Sequence, residues 1–191
     1  KGRSVILALT LATLEYEPQE RADLPSLKLS KQIDDTAKRI PKIFEAEDKG
    51  GELIRRSLLG LFAYASNRIP EITGDLYSID DAMRAGYAWD YGPFEYWDMI
   101  GVQRGIELAE EQGEQVAGWV KDMVKAGHER FYKREGGKRL YYDIESKAYR
   151  EVPGTAGFII LDNYRDQAPV HKTSETVLHD IGDGVLCLEF T

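Results

Sequence analysis

The chain is poor in cysteine and histidine and has no long apolar run, and each shortage removes a class of protein. A lone cysteine, Cys187, excludes an internal disulfide and any cysteine-built zinc site. It fits a reducing compartment, so a cytoplasmic location is expected. His128, His171 and His179 stand apart with no pair at i, i+4, so no metal motif is present. The longest apolar stretches, VILAL and LLGLFAYA, fall well short of a membrane span, and nothing at the N-terminus reads as a signal peptide. There is no cationic excess either: a net charge of −8 argues against a partner held by nucleic-acid phosphates. Neither a P-loop nor a GxGxxG turn occurs. What remains, 191 residues that are 42% hydrophobic, is ample for one buried core and excludes global disorder.

Both ends read as apolar β segments. SVILALTLATLEY stands at the start, and VLHDIGDGVLCLEF near the end reads as strand, a tight turn at Gly182-Asp183-Gly184, and strand. A lone hairpin is marginally stable in water, so the expectation is a fragment of a longer polypeptide. A faint internal repeat points the same way. Thr10 to Tyr16 and Asp143 to Tyr149 share a spacing of six, each after a hydrophobic pair and each followed by charge and then proline. Chance similarity between two short β-rich stretches is the alternative. If the repeat is real, residues 1–24 are the tail of a preceding module and 25–153 are a second copy. A linker over 154–175 and the first strands of another domain over 176–191 would follow.

The middle has helical periodicity. KQIDDTAKRIPKIFEAED carries Ile33, Ala37, Ile40, Ile43 and Phe44 on one face, with Pro41 expected to kink or split it. ELIRRSLLGLFAYASNRI reads as the central helix, closed by Pro70. Ser78 is a plausible N-cap for the next helix, with Asp80 and Asp81 in its first turn and Gly86 as its left-handed end. Pro93 opens FEYWDMIG, and two more amphipathic helices end at Gly127. RFYKREGGKRLYYD is expected to be a hairpin turning at Glu135-Gly136-Gly137. The predicted fold is mainly α: a compact bundle of five or six helices, a small β-hairpin tail and terminal strand fragments.

Candidate chemistry is sparse. The cluster Lys133, Arg134, Lys138 and Arg139 flanks two glycines and could hold a phosphate, though a solvated turn is the simpler account. His128 has no placeable nucleophile or acid partner, so a cation at a helix C-terminus suits it better. Asp80, Asp81, Asp90, Glu95 and Asp98 could supply a carboxylate pair; Asp80 and Asp81 fit capping, and Asp98 a surface face. Cys187 is expected to be buried in a strand. In YAWDYGPFEYWD, residues 87–98, the rings Trp89, Tyr91, Phe94 and Trp97 could form a ligand platform. A packed helix–loop–helix corner is the favoured expectation.

The run SIDDAMRAGYAWDYGPFEYWDMIG resembles the C-terminal helical domain of 3-hydroxyacyl-CoA dehydrogenases, with an ID-x-AM helix, an aromatic loop, GPF and a D-x-x-G helix. The likeness extends from about residue 51 to 101. HERFYKREGGKRLYYDIESKAY resembles that family's tail, and LHDIGDGVLCLEFT resembles the opening strands of an enoyl-CoA hydratase. The order is similar to fused bacterial β-oxidation enzymes. The resemblance implies a 6-phosphogluconate dehydrogenase C-terminal-like helical fold, commonly present twice after a Rossmann domain. It also implies an NAD-dependent parent in which a His–Glu pair on the Rossmann side and an Asn opening the long helix act on a 3-hydroxyacyl-CoA. Here Arg55 stands where that Asn would be and Arg56 keeps the family's Arg; Asn67-Arg68, the literal NR, falls late in the helix. An arginine cannot accept a hydrogen bond, so the copy reads as catalytically degenerate.

The expected role is therefore a structural module of such an enzyme, inactive alone and holding no cofactor itself. Its partners would be the Rossmann and first helical domains, the hydratase domain and, in the parent, acyl-CoA. Substrate or interface candidates are Arg55, Arg56, Trp89, Tyr91, Phe94, Trp97, Lys138 and Arg139; no catalytic or metal residue is assigned. The alternatives are an acyl-CoA-binding module and a dimerisation module.

Overall fold

A computed structural model describes residues 5–19, 22–155 and 157–190. Residues 1–4, with which the first apolar stretch opens, and Thr191 lie outside the described residues. Among the described residues an N-terminal hairpin, β1 (Leu7–Thr10) and β2 (Glu15–Pro18), leads into seven helices. These are α1 (Pro25–Ser30), α2 (Thr36–Phe44), α3 (Lys49–Asn67), α4 (Tyr77–Tyr87), α5 (Pro93–Ile100), α6 (Val102–Glu111) and α7 (Gly118–Lys125). An antiparallel sheet, β3 (Tyr132–Glu135), β4 (Lys138–Asp143) and β5 (Ala148–Glu151), closes the bundle. After a short 3-10 turn (Leu161–Tyr164) comes a second antiparallel sheet of β6 (His171–Lys172), β7 (Thr176–Asp180) and β8 (Leu186–Phe190).

The mainly α expectation holds, with one helix more than the periodicity suggested. The six-residue α1 is too short to show a period; it starts on Pro25 and is tied to α3 because Asp48 accepts from both Ser26 N (2.8 Å) and Gly51 N (2.9 Å). Pro41 does not split α2, which runs through it to Phe44. Ser78 is not the cap of α4: the helix begins a residue earlier, and Asp75 Oδ1 receives the Ser78 amide at 2.8 Å. Nor does Gly86 end it, since the left-handed residue is Ala88, at φ 53°. The remaining turns are as expected: Gly127 has positive φ after α7, and Gly136 and Gly137 (φ 59° and 73°) form the two-residue hairpin turn. β6 begins inside the stretch that composition marks as linker.

The core sits where α3, α5, α6 and α7 meet the β3–β4–β5 sheet. Leu59 and Phe62 of α3, Phe94 and Trp97 of α5, Val120 and Met123 of α7, and Phe131 are fully buried together. Gly105 of α6 is required by this packing, because a Cβ there would lie 2.1 Å from Trp97 Nε1.

Candidate functional site

The aromatic stretch over residues 87–98 divides into two halves. Phe94 and Trp97, three apart on α5, point into the core. Trp97 stacks on Phe62 at 5.0 Å and 6°, and its indole N–H reaches Val102 O at 3.1 Å. Phe94 meets Phe131 edge-on at 5.0 Å. Trp89 and Tyr91 stay half-buried and flank Tyr96 edge-on at 6.0 and 5.9 Å. Beside them Asp90 accepts from Thr36 Oγ1 at 2.5 Å, so this surface half is fastened to α2. The rings are a packed corner.

Two carboxylates that fit surface or capping roles in the sequence lie deeper. Asp80 is fully buried and caps another helix than its own: its oxygens accept from Phe94 N (3.0 Å) and Glu95 N (3.2 Å) at the start of α5, and from Tyr132 Oη (2.8 Å). Gly92 makes room for it, since a Cβ there would come within 2.3 Å of Asp80. Asp98, at the other end of α5, accepts from Phe131 N (2.8 Å) and Tyr132 N (2.9 Å) and so anchors the entry to β3. The ID-x-AM, GPF and D-x-x-G signatures are thus parts of one hydrogen-bonded lock among α4, α5 and β3.

Burial pushes the Asp80 carboxyl up to about 8, helped by the charge of Glu95 and opposed by the Phe94 amide, the Tyr132 hydroxyl and Arg84. Burial likewise raises Asp98 to about 7 against the pull of the Phe131 and Tyr132 amides. In the folded protein each holds a proton that the unfolded chain releases near pH 4, so the unfolded state gains in relative stability as pH rises, up to about pH 8 for Asp80 and about pH 7 for Asp98. Burial-driven shifts of this kind erode folding by up to about 1.4 kcal/mol per pH unit for each group. Asp48 and Asp143 are shifted the other way by their hydrogen bonds and lose their contribution below about pH 4. The urea midpoint should therefore be highest on the acid side of neutrality and fall towards pH 8. Asp80→Asn should flatten that fall; a midpoint that climbs from pH 5 to 8 contradicts the assignment.

Between the two carboxylates lies Glu95, which the sequence offered only as one half of a possible pair. It accepts the Gly92 amide at 2.7 Å and pairs with Arg84 of α4 and with Arg139 of β4, the latter at 2.5 Å. Arg139 also covers the Tyr132 ring at 4.2 Å. A readable signal existed in the G-x-x-E spacing of Gly92 and Glu95, which places a carboxylate over the first amides of a helix.

The other candidates are engaged locally. Arg55 donates to Phe44 O (2.7 Å) and Ala46 O (2.6 Å), closing the carbonyl end of α2. Arg56 is exposed in a surface cleft with Glu52, Gln112 and Glu114. Lys138 pairs with Glu151 at 2.6 Å, Lys133 with Glu135 at 2.7 Å, and Arg134 with Asp162 and Asp166, so the basic turn is neutralised by the chain's own acids. Asn67 ties α3 to Gln115 O at 2.6 Å. His128 follows α7 and packs against the Tyr142 and Tyr149 rings, while Cys187 is half-buried. Among the described residues no group of three His, Cys, Asp or Glu could hold a metal, and no helix is long and apolar enough to cross a membrane.

The repeat has a geometric counterpart. Thr10↔Glu15 and Asp143↔Ala148 close loops of the same four-residue length, each ending on a left-handed residue, Leu14 (φ 59°) and Lys147 (φ 53°). The cross-strand Leu9–Tyr16 pair matches Tyr142–Tyr149, and the Thr10–Glu17 hydrogen bond matches the Asp143–Arg150 ion pair. Tyr142 is buried against the helical core, whereas Leu7, Leu9 and Tyr16 are exposed.

Curated proteins share the dehydrogenase likeness. A "Probable 3-hydroxyacyl-CoA dehydrogenase" of Bacillus subtilis (strain 168) is 33% identical over all 191 residues. The chain is similar, end to end, to a 3-hydroxyacyl-CoA dehydrogenase. It spans 24% of that relative's length. Fatty acid oxidation complex trifunctional enzymes assigned to Rickettsia prowazekii (strain Madrid E) and Rickettsia felis (strain ATCC VR-1525 / URRWXCal2) match at 24% over 107 residues and 28% over 94. Those matches take in 56% and 49% of this chain, and 13% and 12% of the relatives. No family model matches the chain.

Proposed function

We propose that the chain is a helical portion of an NAD-dependent 3-hydroxyacyl-CoA dehydrogenase of fatty-acid β-oxidation, serving that enzyme as a structural and interface module. One observation carries this reading: Asp80, Glu95, Asp98 and Arg55, the charged groups nearest the family's motifs, are all spent on the chain's own backbone or on one another. NAD belongs to the parent enzyme. The dinucleotide does not fit these residues, for the sheets are antiparallel and no glycine-rich strand-to-helix turn occurs among the described residues.

The matched hairpins support a preceding helical unit, with residues 5–19 as its tail and the exposed side chains of β1 and β2 as the face it would cover. The names of the Rickettsia relatives favour a fused hydratase, to which the strands from β7 onward would belong. The parent's Rossmann domain, first helical domain and acyl-CoA substrate complete the proposed partners, in the cytoplasm.

The purified chain, given 3-hydroxybutyryl-CoA and NAD, should form no NADH, and titration calorimetry with acetoacetyl-CoA should give no saturable heat. NADH formation would overturn the proposal. Saturable heat abolished by charge reversal at Arg56, Lys138 or Arg139 would replace it with an acyl-CoA-binding module. Light scattering that finds a dimer would favour a dimerisation role instead.

A further inference from the structure

We infer that the Gly136-Gly137 turn and Arg134 form a clasp on the segment after the bundle, and that this clasp sets the orientation of the C-terminal sheet and opens in salt.

The helical core ends at Val152, and among the described residues it takes no side chain from beyond that point. Phe158 and Ile159 are exposed, so the connection has little apolar anchorage of its own. Its fixed point is the 3-10 turn. Tyr164 lies on Gly137, where a Cβ would come 2.6 Å from the phenol Oη, and Gly137 has φ +73°; steric room and backbone both call for glycine there. Arg134, on the strand entering the turn, holds Asp162 and reaches Asp166 at 3.1 Å.

The opposite side of the same turn grips the sheet. Arg165 donates to Asp162 at 3.0 Å and to Glu189 of β8 at 3.1 and 2.6 Å, and Glu189 lies 2.9 Å from His179 Nε2 of β7. His179 and Val177 are buried on this inner face, beside Cys187 and Glu189. Leu186, Leu188 and Phe190 are exposed on the outer face. Charges thus alternate from the bundle to the sheet through Arg134, Asp162, Arg165 and Glu189, and Glu189 is hydrogen-bonded to His179. Exposed ion pairs are individually weak and screened by salt, but in series they select one geometry while staying reversible. The basic turn is therefore a receptor for an acidic stretch of its own chain, and the apolar outer face of β8 is what the closed clasp presents.

The test uses the whole chain, with spin labels on Ser57→Cys of α3 and Glu175→Cys before β7 in a Cys187→Ser background. Ser57 and Glu175 are both exposed. In about 0.05 M salt the distance distribution should be a single narrow peak, widening at least about twofold in about 1 M salt. Arg134→Gln should widen it equally at low salt, and so should Asp162→Asn combined with Asp166→Asn, which attacks the clasp from the other side. Unchanged helical circular dichroism shows that each variant still folds. A width that neither variant alters, whether narrow or already broad, overturns the inference.

Discussion

Replacing Asp80 by alanine is expected to cost about 3–5 kcal/mol of folding stability and to lower the melting temperature by on the order of 10 °C. Three donors depend on this one carboxyl: the Phe94 and Glu95 amides and the Tyr132 hydroxyl. The Phe94 and Tyr132 donors are buried and the Glu95 amide is part-buried, and a buried unsatisfied donor costs about 1–3 kcal/mol. For a domain this size each kcal/mol moves the melting point by about 2–4 °C. Asp80→Asn keeps one acceptor oxygen and should lose roughly half as much. Urea denaturation of the two variants beside Asp81→Ala separates the cap from the general acidity of the region, because Asp81 is exposed and pairs with Arg84 at the surface. Equal small losses for Asp80→Ala and Asp81→Ala would remove Asp80 from the lock.

Trp97→Ala should be of similar size, about 3–5 kcal/mol, the range for emptying a large buried aromatic site. The indole is fully buried, stacks on Phe62, lies 5.2 Å from Phe131 and holds the carbonyl of Val102. Gly105 of α6, which packs against the indole, has no side chain that could fill the space left behind. Trp89→Ala removes only edge contact with Tyr96 and should cost about 1 kcal/mol. A thermal melt of the pair decides between a packed corner and a ligand platform: comparable small losses would mean that neither ring is structural.

These two sites also show what could be read from the chain before its structure. Phe94 and Trp97 stand three apart behind a helix-opening proline, so their shared inward face follows from helical spacing. Asp80 carried a local signal for its own helix, and the local signal misled. Its partners lie 14, 15 and 52 residues away, and nothing in a single sequence encodes that α5 would begin against α4. Arg55 stands where the family's Asn would be, yet its partners are two carbonyls at the end of α2, which the pattern of apolar residues does not register. Gly86 and Ala88 show the same limit: a glycine is the cheaper left-handed residue, yet the helix ends two residues later, on Ala88. The short loops were legible because their chemistry is confined to a few bonds. Gly136-Gly137 and Gly182-Asp183-Gly184 needed no partner to be recognised.

The lock on α5 has a consequence for how such a unit can be cut or copied. Asp98 takes both its donors from Phe131 and Tyr132, and Asp80 takes one of its three from Tyr132, so a bundle severed before Phe131 leaves Asp98 without these amides and Asp80 without the phenol. A boundary that leaves α5 fastened at both ends must therefore lie beyond Tyr132, so the bundle and the first closing strand belong together. Tyr16 and Tyr149, 133 positions apart behind the same loop, are the spacing a duplication would leave.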